Sequence, residues 1–333
     1  TAVLALMQRR RLLYLVLIAV ALVAPWLAPA FRTQLSFLWV MIVFALTWDL
    51  LGGRMGYNSF GNILFFGVGM YACAVLQRDS GLSYFPALFL GLGAGGALAL
   101  LVAAVLGSGM LGLRGHYFAL GTLGLGIAAG EYASGWDFIG AGSGMVTPLY
   151  PGAVGGRETF FYYVTFALAA VTFLVLRWLY RGRFGLALNA IRDDEDKAEA
   201  MGLPTTLYKT AAWCTSAFFL GVTGGAAGNL IGFIDPRDVA FAGSSFGVWM
   251  VLMAILGGKG TLWGPVLGAV IFHVTQELFW TYLLGWQRVA LGLLIVVIVV
   301  FFPLGVLGWA RGRWPERFGH RVDAAPRSPQ AAP

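Results

Sequence analysis

The chain has 333 residues, 59% of them hydrophobic and 11% charged, with a mean hydropathy of +0.78. Soluble domains carry about 25% charged residues, so the composition excludes a soluble globular protein and points to an all-α polytopic membrane protein. The net charge of +7 suits nucleic acid or anionic lipid equally until its distribution is known; in chain order it lies along a membrane, and no nucleic-acid partner is expected.

Residues 9–11 are Arg-Arg-Arg, followed by an apolar run over 12–30. The alternative for this run is a cleavable signal peptide, because Ala28-Pro29-Ala30 resembles a small-residue cleavage site, but its length reaches the roughly 20 residues that span a bilayer. Further apolar runs follow at 35–51, 59–77, 84–106, 116–133 and 160–180, then at 210–232, 244–257, 262–283 and 288–308. That predicts about ten transmembrane segments, the shorter ones being half-helices or re-entrant. With the amino terminus inside, seventeen Lys and Arg fall on the inner side and five (Arg32, Arg78, Arg157, Arg237, Arg288) on the outer, which places both termini in the cytoplasm. Five segments precede residue 134 and five follow residue 159, so the two halves would be inverted repeats with a pathway between them. Ser59-Phe60-Gly61 opens the third segment and Ser245-Phe246-Gly247 the eighth, a faint trace of that symmetry.

The reading divides the chain into one transmembrane domain, 1–308, and a disordered cytoplasmic tail, 309–333, rich in Pro and Ala. The Gly- and Pro-containing loop 134–159 is expected outside, as a cap that could meet an external partner. Residues 181–209 interrupt the apolar pattern with Asp193, Asp194, Glu195, Asp196 and Glu199 among Arg181, Arg183, Arg192, Lys197 and Lys209. Such a density of charge cannot sit in lipid. Its grammar predicts a short helix over 194–201, capped by Asp193, with Asp196 at the third position and Gly202 and Pro204 as a stop signal. Ala198 and Met201 are expected on one face, to dock against another protein.

Three catalytic strings occur and fail by context. Residues 91–96 (GLGAGG) lie in an apolar run without the preceding strand, and 243–247 (GSSFG) lack a strand-turn-helix unit. In residues 256–264 (LGGKGTLWG), Lys259 is followed by Gly260 where a phosphate loop needs Ser or Thr. No ATPase site, catalytic residue or cofactor is therefore expected. Small residues four apart (Gly91 and Gly95, Gly126 and Gly130, Gly221 and Gly225, Gly224 and Gly228, Gly264 and Gly268) point to close helix packing. Cys73 and Cys214 both lie in apolar runs, and neither a disulfide nor a metal site is suggested. Among ionisable residues at membrane depth, Asp49 and Glu131 lie near segment ends, while His273 and Glu277 stand one helical turn apart in the ninth segment and could line a polar passage or satisfy each other.

The segment GRFGLALNAIRDDEDKAEAMGLP resembles the coupling segment of bacterial ABC-importer permeases, in the form carried by the branched-chain amino-acid permease family, M-type subunit. Blocks at 56–76, 113–126 and 256–272 are similar to the same family, so the resemblance covers about residues 45–275. It implies a bacterial inner-membrane permease subunit for branched-chain or related amino acids. Its partners would be a second, H-type permease, two cytoplasmic ATPases, a periplasmic binding protein and membrane lipid. Carried over, Glu199, Ala200 and Gly202 take the coupling-motif positions, with Gly185, Ala190, Ile191 and Arg192 as the lead-in; Asp193 and Glu195 join the ATPase-coupling set. Ser59, Phe60, Gly61, Asn62, Ser245 and Phe246, with Glu131, His273 and Glu277, form the candidate translocation path. Asn62 stands where the family has His, and related permeases import urea or short amides, so these are alternative cargoes. A different class, a gradient-driven secondary transporter working through the buried carboxylates, is the other alternative.

Overall fold

The computed structural model describes residues 16–153, 155–283, 285, 286, 289, 290, 292, 293, 296, 297, 300 and 305–313. Its helices are α1 (Val16–Leu27), α2 (Arg32–Trp48), α3 (Asn62–Asp79), α4 (Tyr84–Met110), α5 (Gly115–Ser134) and α6 (Gly156–Arg181). After these come α7 (Arg183–Asp193), α8 (Glu195–Ala200), α9 (Thr205–Ile231), α10 (Val248–Gly257), α11 (Gly264–Tyr282) and α12 (Gly305–Arg313). The Arg-rich start at 9–11 and the tail 314–333 lie outside the described residues; α12 itself carries 309–313, which the composition assigns to the tail.

Among the described residues, four helical stretches are long and apolar enough to cross a membrane: Pro29–Met55, Tyr84–Met110, Gly156–Arg181 and Thr205–Ile231. The first nine apolar runs of the sequence coincide with described helices to within about five residues, because lipid leaves backbone groups no partner outside the helix itself, whereas most of the tenth, 288–308, lies outside the described residues. α2 does not stop at Trp48 but widens into a π-helical stretch, Asp49–Met55, that closes on Gly56 in the left-handed conformation at φ +83°. α10, at ten residues, rises about 15 Å, half of the roughly 30 Å hydrocarbon core. It is preceded by two π-helical turns, Pro236–Ala240 and Gly243–Gly247.

α9 is the centre of the bundle and packs on α3 and α4. A seam of glycines brings the three backbones together: a Cβ at Gly69 would strike the backbone of Gly221, one at Gly221 that of Gly95, and one at Gly95 that of Gly69. Lipid supplies no hydrophobic drive between helices, so close backbone approach is what holds them. Gly91 meets Cys73 in the same seam, which accounts for the small-residue spacing of α4. Asn229, near the end of α9, donates to the Gln77 Oε1 of α3 at 2.8 Å and so ties two buried side chains together across the seam. α1 is stitched to α6 through polar aromatics: Tyr162 donates to the Ala21 carbonyl at 2.6 Å and Tyr163 to that of Leu22 at 2.9 Å. In the loop 134–159, Met145–Val146 forms a two-residue antiparallel ladder with Phe233–Ile234, pinning the loop to the end of α9.

Candidate functional site

Two regions gather the residues singled out from the sequence. At one end of the bundle, α7 and α8 form a bent ledge. α7 buries Gly185, Ala187, Leu188 and Ile191 on one face. The chain breaks at Asp194, which is extended (φ −165°, ψ 103°), and Asp194, not Asp193, caps α8 by accepting from the Lys197 backbone at 3.0 Å. α7 continues through Asp193, whose carboxylate pairs instead with Arg192 at 2.8 Å, so the cap moves one residue along. Asp194 also binds the Lys197 ammonium at 2.8 Å, and these two interactions hold its carboxyl below the usual range. Asp196 is drawn away from any capping box by Arg114, at 2.8 Å. The far end closes as anticipated. Leu203 donates to the Ala198 carbonyl and Gly202, at φ +85°, to that of Glu199, a left-handed glycine termination.

Ala198 and Met201 do not share a face: Ala198 is buried, whereas Met201 is 88% exposed. A six-residue helix has less than two turns, and Met201 already belongs to the cap, where the backbone reverses. Glu199, Ala200 and Gly202 are exposed beside Met201, while Arg192 is 40% exposed at its side chain and rests between the loops of α2–α3 and α10–α11. A Cβ on Gly56 would stand 3.1 Å from the Arg192 Cγ, and one on Gly260 3.9 Å from its Nη1.

Glu195 behaves differently from the rest of its set. Its side chain is only 11% exposed and accepts from Lys209 Nζ at 2.7 Å and from the Tyr57 hydroxyl. Lys209 also donates to the Leu111 carbonyl at 2.8 Å and to Tyr57 at 3.2 Å, so one ammonium joins the ledge to α9, to the end of α4 and to the segment before α3. Burial pushes the Glu195 carboxyl up, but hydrogen bonds from Lys209 and Tyr57 outweigh it and leave the pKa lowered. Burial, reinforced by the Glu195 carboxylate, pushes the Tyr57 hydroxyl above its ordinary value. The sequence counts Lys209 among the charges of the 181–209 segment without a partner, and gives Tyr57 no role. The available signal was a lone Lys at the start of a spanning helix, which needs a carboxylate from elsewhere.

The second region lies deeper. Ser59 is fully buried; its carbonyl accepts from Trp48 at 2.8 Å and its hydroxyl from Gly61 N at 3.3 Å. Phe60 N donates to Thr122 of α5 at 3.1 Å. Asn62 opens α3, fully buried, donating to Ser216 of α9 at 3.4 Å while its Oδ1 has no partner. The two Ser-Phe-Gly stretches meet: a Cβ on Gly247 would lie 3.5 Å from the Phe60 carbonyl. Phe246 stacks on Phe44 at 5.7 Å and contacts Trp249 at 5.5 Å. The side chain of Ser245 lies outside the described ones. His273 and Glu277 lie on α11 along a cleft that Phe246 also lines. Glu131 is not among this group. It is 59% exposed near the end of α5 and pairs with Arg237 at 2.7 Å.

Residues 91–96 are an interior stretch of α4, and among the described residues no three His, Cys, Asp or Glu are placed to hold a metal ion together. What the geometry offers is an exposed ledge mechanically tied to discontinuous helices. The family described as "Branched-chain amino acid transport system / permease component" matches residues 32–301. The chain is 26% identical to the high-affinity branched-chain amino acid transport system permease protein LivM of Salmonella typhimurium and 25% identical to that of Escherichia coli, in each case over 91% of this chain and 76% of the relative. It is also 30% identical to the LivH permease of the Salmonella system over 46% of this chain and 52% of the relative. No solved structure matches the chain. With the match spanning most of the described helices, the chain belongs to the family of branched-chain amino acid transport system permease components.

Proposed function

We propose that the chain is the permease subunit of an ATP-driven importer of branched-chain or related amino acids in a bacterial inner membrane. It works beside a second, H-type permease, two cytoplasmic ATPases and a periplasmic binding protein. In this reading about ten segments form two inverted halves, both termini are cytoplasmic, and Arg192, Asp193, Glu199, Ala200 and Gly202 face the ATPase. The observation that carries it is the ledge: its outer face is free, and its inner face is locked through Glu195 and Lys209 at 2.7 Å to the central helix. Closure of the ATPases would push α8, Lys209 would pass the movement to α9, and Arg192 would pass it to the loops at Gly56 and Gly260. The residues around Phe60, Asn62 and Phe246 then exchange an inward for an outward passage. A zwitterion needs only weak contacts there, because tight binding hinders release.

Glu199→Arg and Gly202→Pro are expected to abolish ATP-driven leucine uptake and the co-purification of an ATPase while the chain still inserts. Unchanged uptake in both variants would sink the coupling role. Uptake driven by an ion gradient in vesicles without ATP would favour the gradient-driven reading, and uptake of urea or short amides in place of leucine would move the cargo to that class.

A further inference from the structure

From the cleft between α2, α10 and α11 we infer a binding site for the free amino acid within this subunit, an inference that rests on the importer reading. The cleft has a volume of about 300 Å³ and is lined by Gln34, Phe37, Trp249, His273, Gln276 and Glu277, among others. It lies in the half of the bundle remote from the ledge. Gln34 is fifteen residues before Asp49, about 22 Å along the helix, and Asp49 is the residue bonded to Gly260 beside Arg192.

Three features make this a built site. His273 and Gln276 are 6% and 9% exposed, yet the Oε1 of Gln276 and that of Gln34 have no hydrogen-bond partner, and the His273 ring has only the Gln34 backbone beside it, without a well-formed bond. Buried polar groups are almost always paired, so several unpaired ones around a single cavity call for a guest. Second, the polar groups that line the cleft have a sense. Two amide oxygens and the Glu277 carboxylate are acceptors, which suit an ammonium with its three N–H donors. The imidazole of His273, one turn away from Glu277 on α11, can donate to a carboxylate. Third, the remaining wall is aromatic: Phe246 and Trp249 lie 5.5 Å apart, and Trp249 reaches Phe272 at 5.8 Å. Such a wall takes an aliphatic side chain and favours a nearby cation. A small zwitterion with a hydrocarbon side chain satisfies all three, and the volume is at the lower end of the roughly 300–1,000 Å³ of small-molecule sites. Phe246 lines this cleft and directly precedes Gly247, whose Cβ would lie 3.5 Å from the Phe60 carbonyl, so the site adjoins the candidate passage.

The test uses the chain purified with the partner chains that accompany it from its membrane. Gln276→Cys and Glu277→Cys are treated with a small ammonium-bearing methanethiosulfonate, and labelling is read above the background of Cys73 and Cys214. Millimolar leucine should slow both reactions at least fivefold, whereas 4-methylpentanoate, which lacks the ammonium, and leucinamide, which lacks the carboxylate, should not. Val274→Cys, on the exposed side of the same helix, should label at a rate indifferent to leucine. Radiolabelled leucine should also bind the unsubstituted complex, with the same order of competitors, so that a variant that fails to insert does not decide the matter. Protection without ATP-driven uptake would keep the site and remove the importer reading. Uptake without protection or binding, or no labelling at either position, would overturn the site.

Discussion

Lys209 and Glu195 carry more of the structure than any other pair of charges in the described residues. Both are nearly dry, at 6% and 11% side-chain exposure, and their 2.7 Å contact is supplemented by Tyr57 and the Leu111 carbonyl. Removing one partner of a buried pair strands the other, at a cost of about 3–5 kcal/mol. Lys209→Met is therefore expected to lower the thermal midpoint of the purified protein, and Glu195→Gln, which keeps a hydrogen-bonding amide, to lower it less. The pH dependence has a definite sign. The folded Glu195 carboxyl lies below its ordinary value of 4.5, so its contribution is complete above that value and is lost as the pH falls through the lower, folded one. Proteolysis of the α7–α8 ledge should accelerate as the pH falls below 4.5, and Glu195→Gln should flatten that acceleration.

At the scale of the element, α8 is short enough that its two ends decide whether it exists. Isolated helices of this length are unstable in water, and this one is held by the Asp194 cap, the Gly202 termination and the anchoring of Glu195. Gly202 has φ +85° and open space around a would-be Cβ, so Gly202→Ala costs only the left-handed backbone strain, about 1–2 kcal/mol. The expected result is a frayed α8 in hydrogen exchange with the rest of the protein unchanged, and transport reduced but not abolished. Asp194→Ala should fray the other end, whereas Asp193→Ala should leave the helix intact. That contrast separates the capping residue from its neighbour.

The whole bundle depends on the backbone contact of α3, α4 and α9. At Gly221 any Cβ meets Gly95 and Ala99, and the facing groups are backbone or small side chains with no rotamer to yield. Gly221→Val is expected to force α9 from its neighbours, at a cost of about 1–3 kcal/mol or more. It should reduce the yield of folded protein, whereas Gly93→Val, with open space around it, should not. Orientation belongs to the same scale. Single cysteines at Met201 and at Leu149, 88% and 90% exposed, are expected to label from opposite sides of the membrane, with Met201 cytoplasmic. Labelling of both from one side would refute the proposed topology.

Hydropathy alone placed the apolar helices among the described residues to within about five residues, because in lipid the backbone must satisfy itself within each segment, but it gave no sign of α7, the first half of the ledge. The glycine spacing likewise announced close packing before any contact was visible. What α9 packs against, which carboxylate in the run 193–196 caps and which one turns inward to Lys209, and that Phe60 meets Gly247 were all settled by the fold. The physical reason is range. Periodicity and capping act over a few residues, whereas Glu195 finds Tyr57 across 138 positions and Gly69 finds Gly221 across the whole middle of the chain. Partners that far apart are chosen by three-dimensional packing, and no local pattern records them.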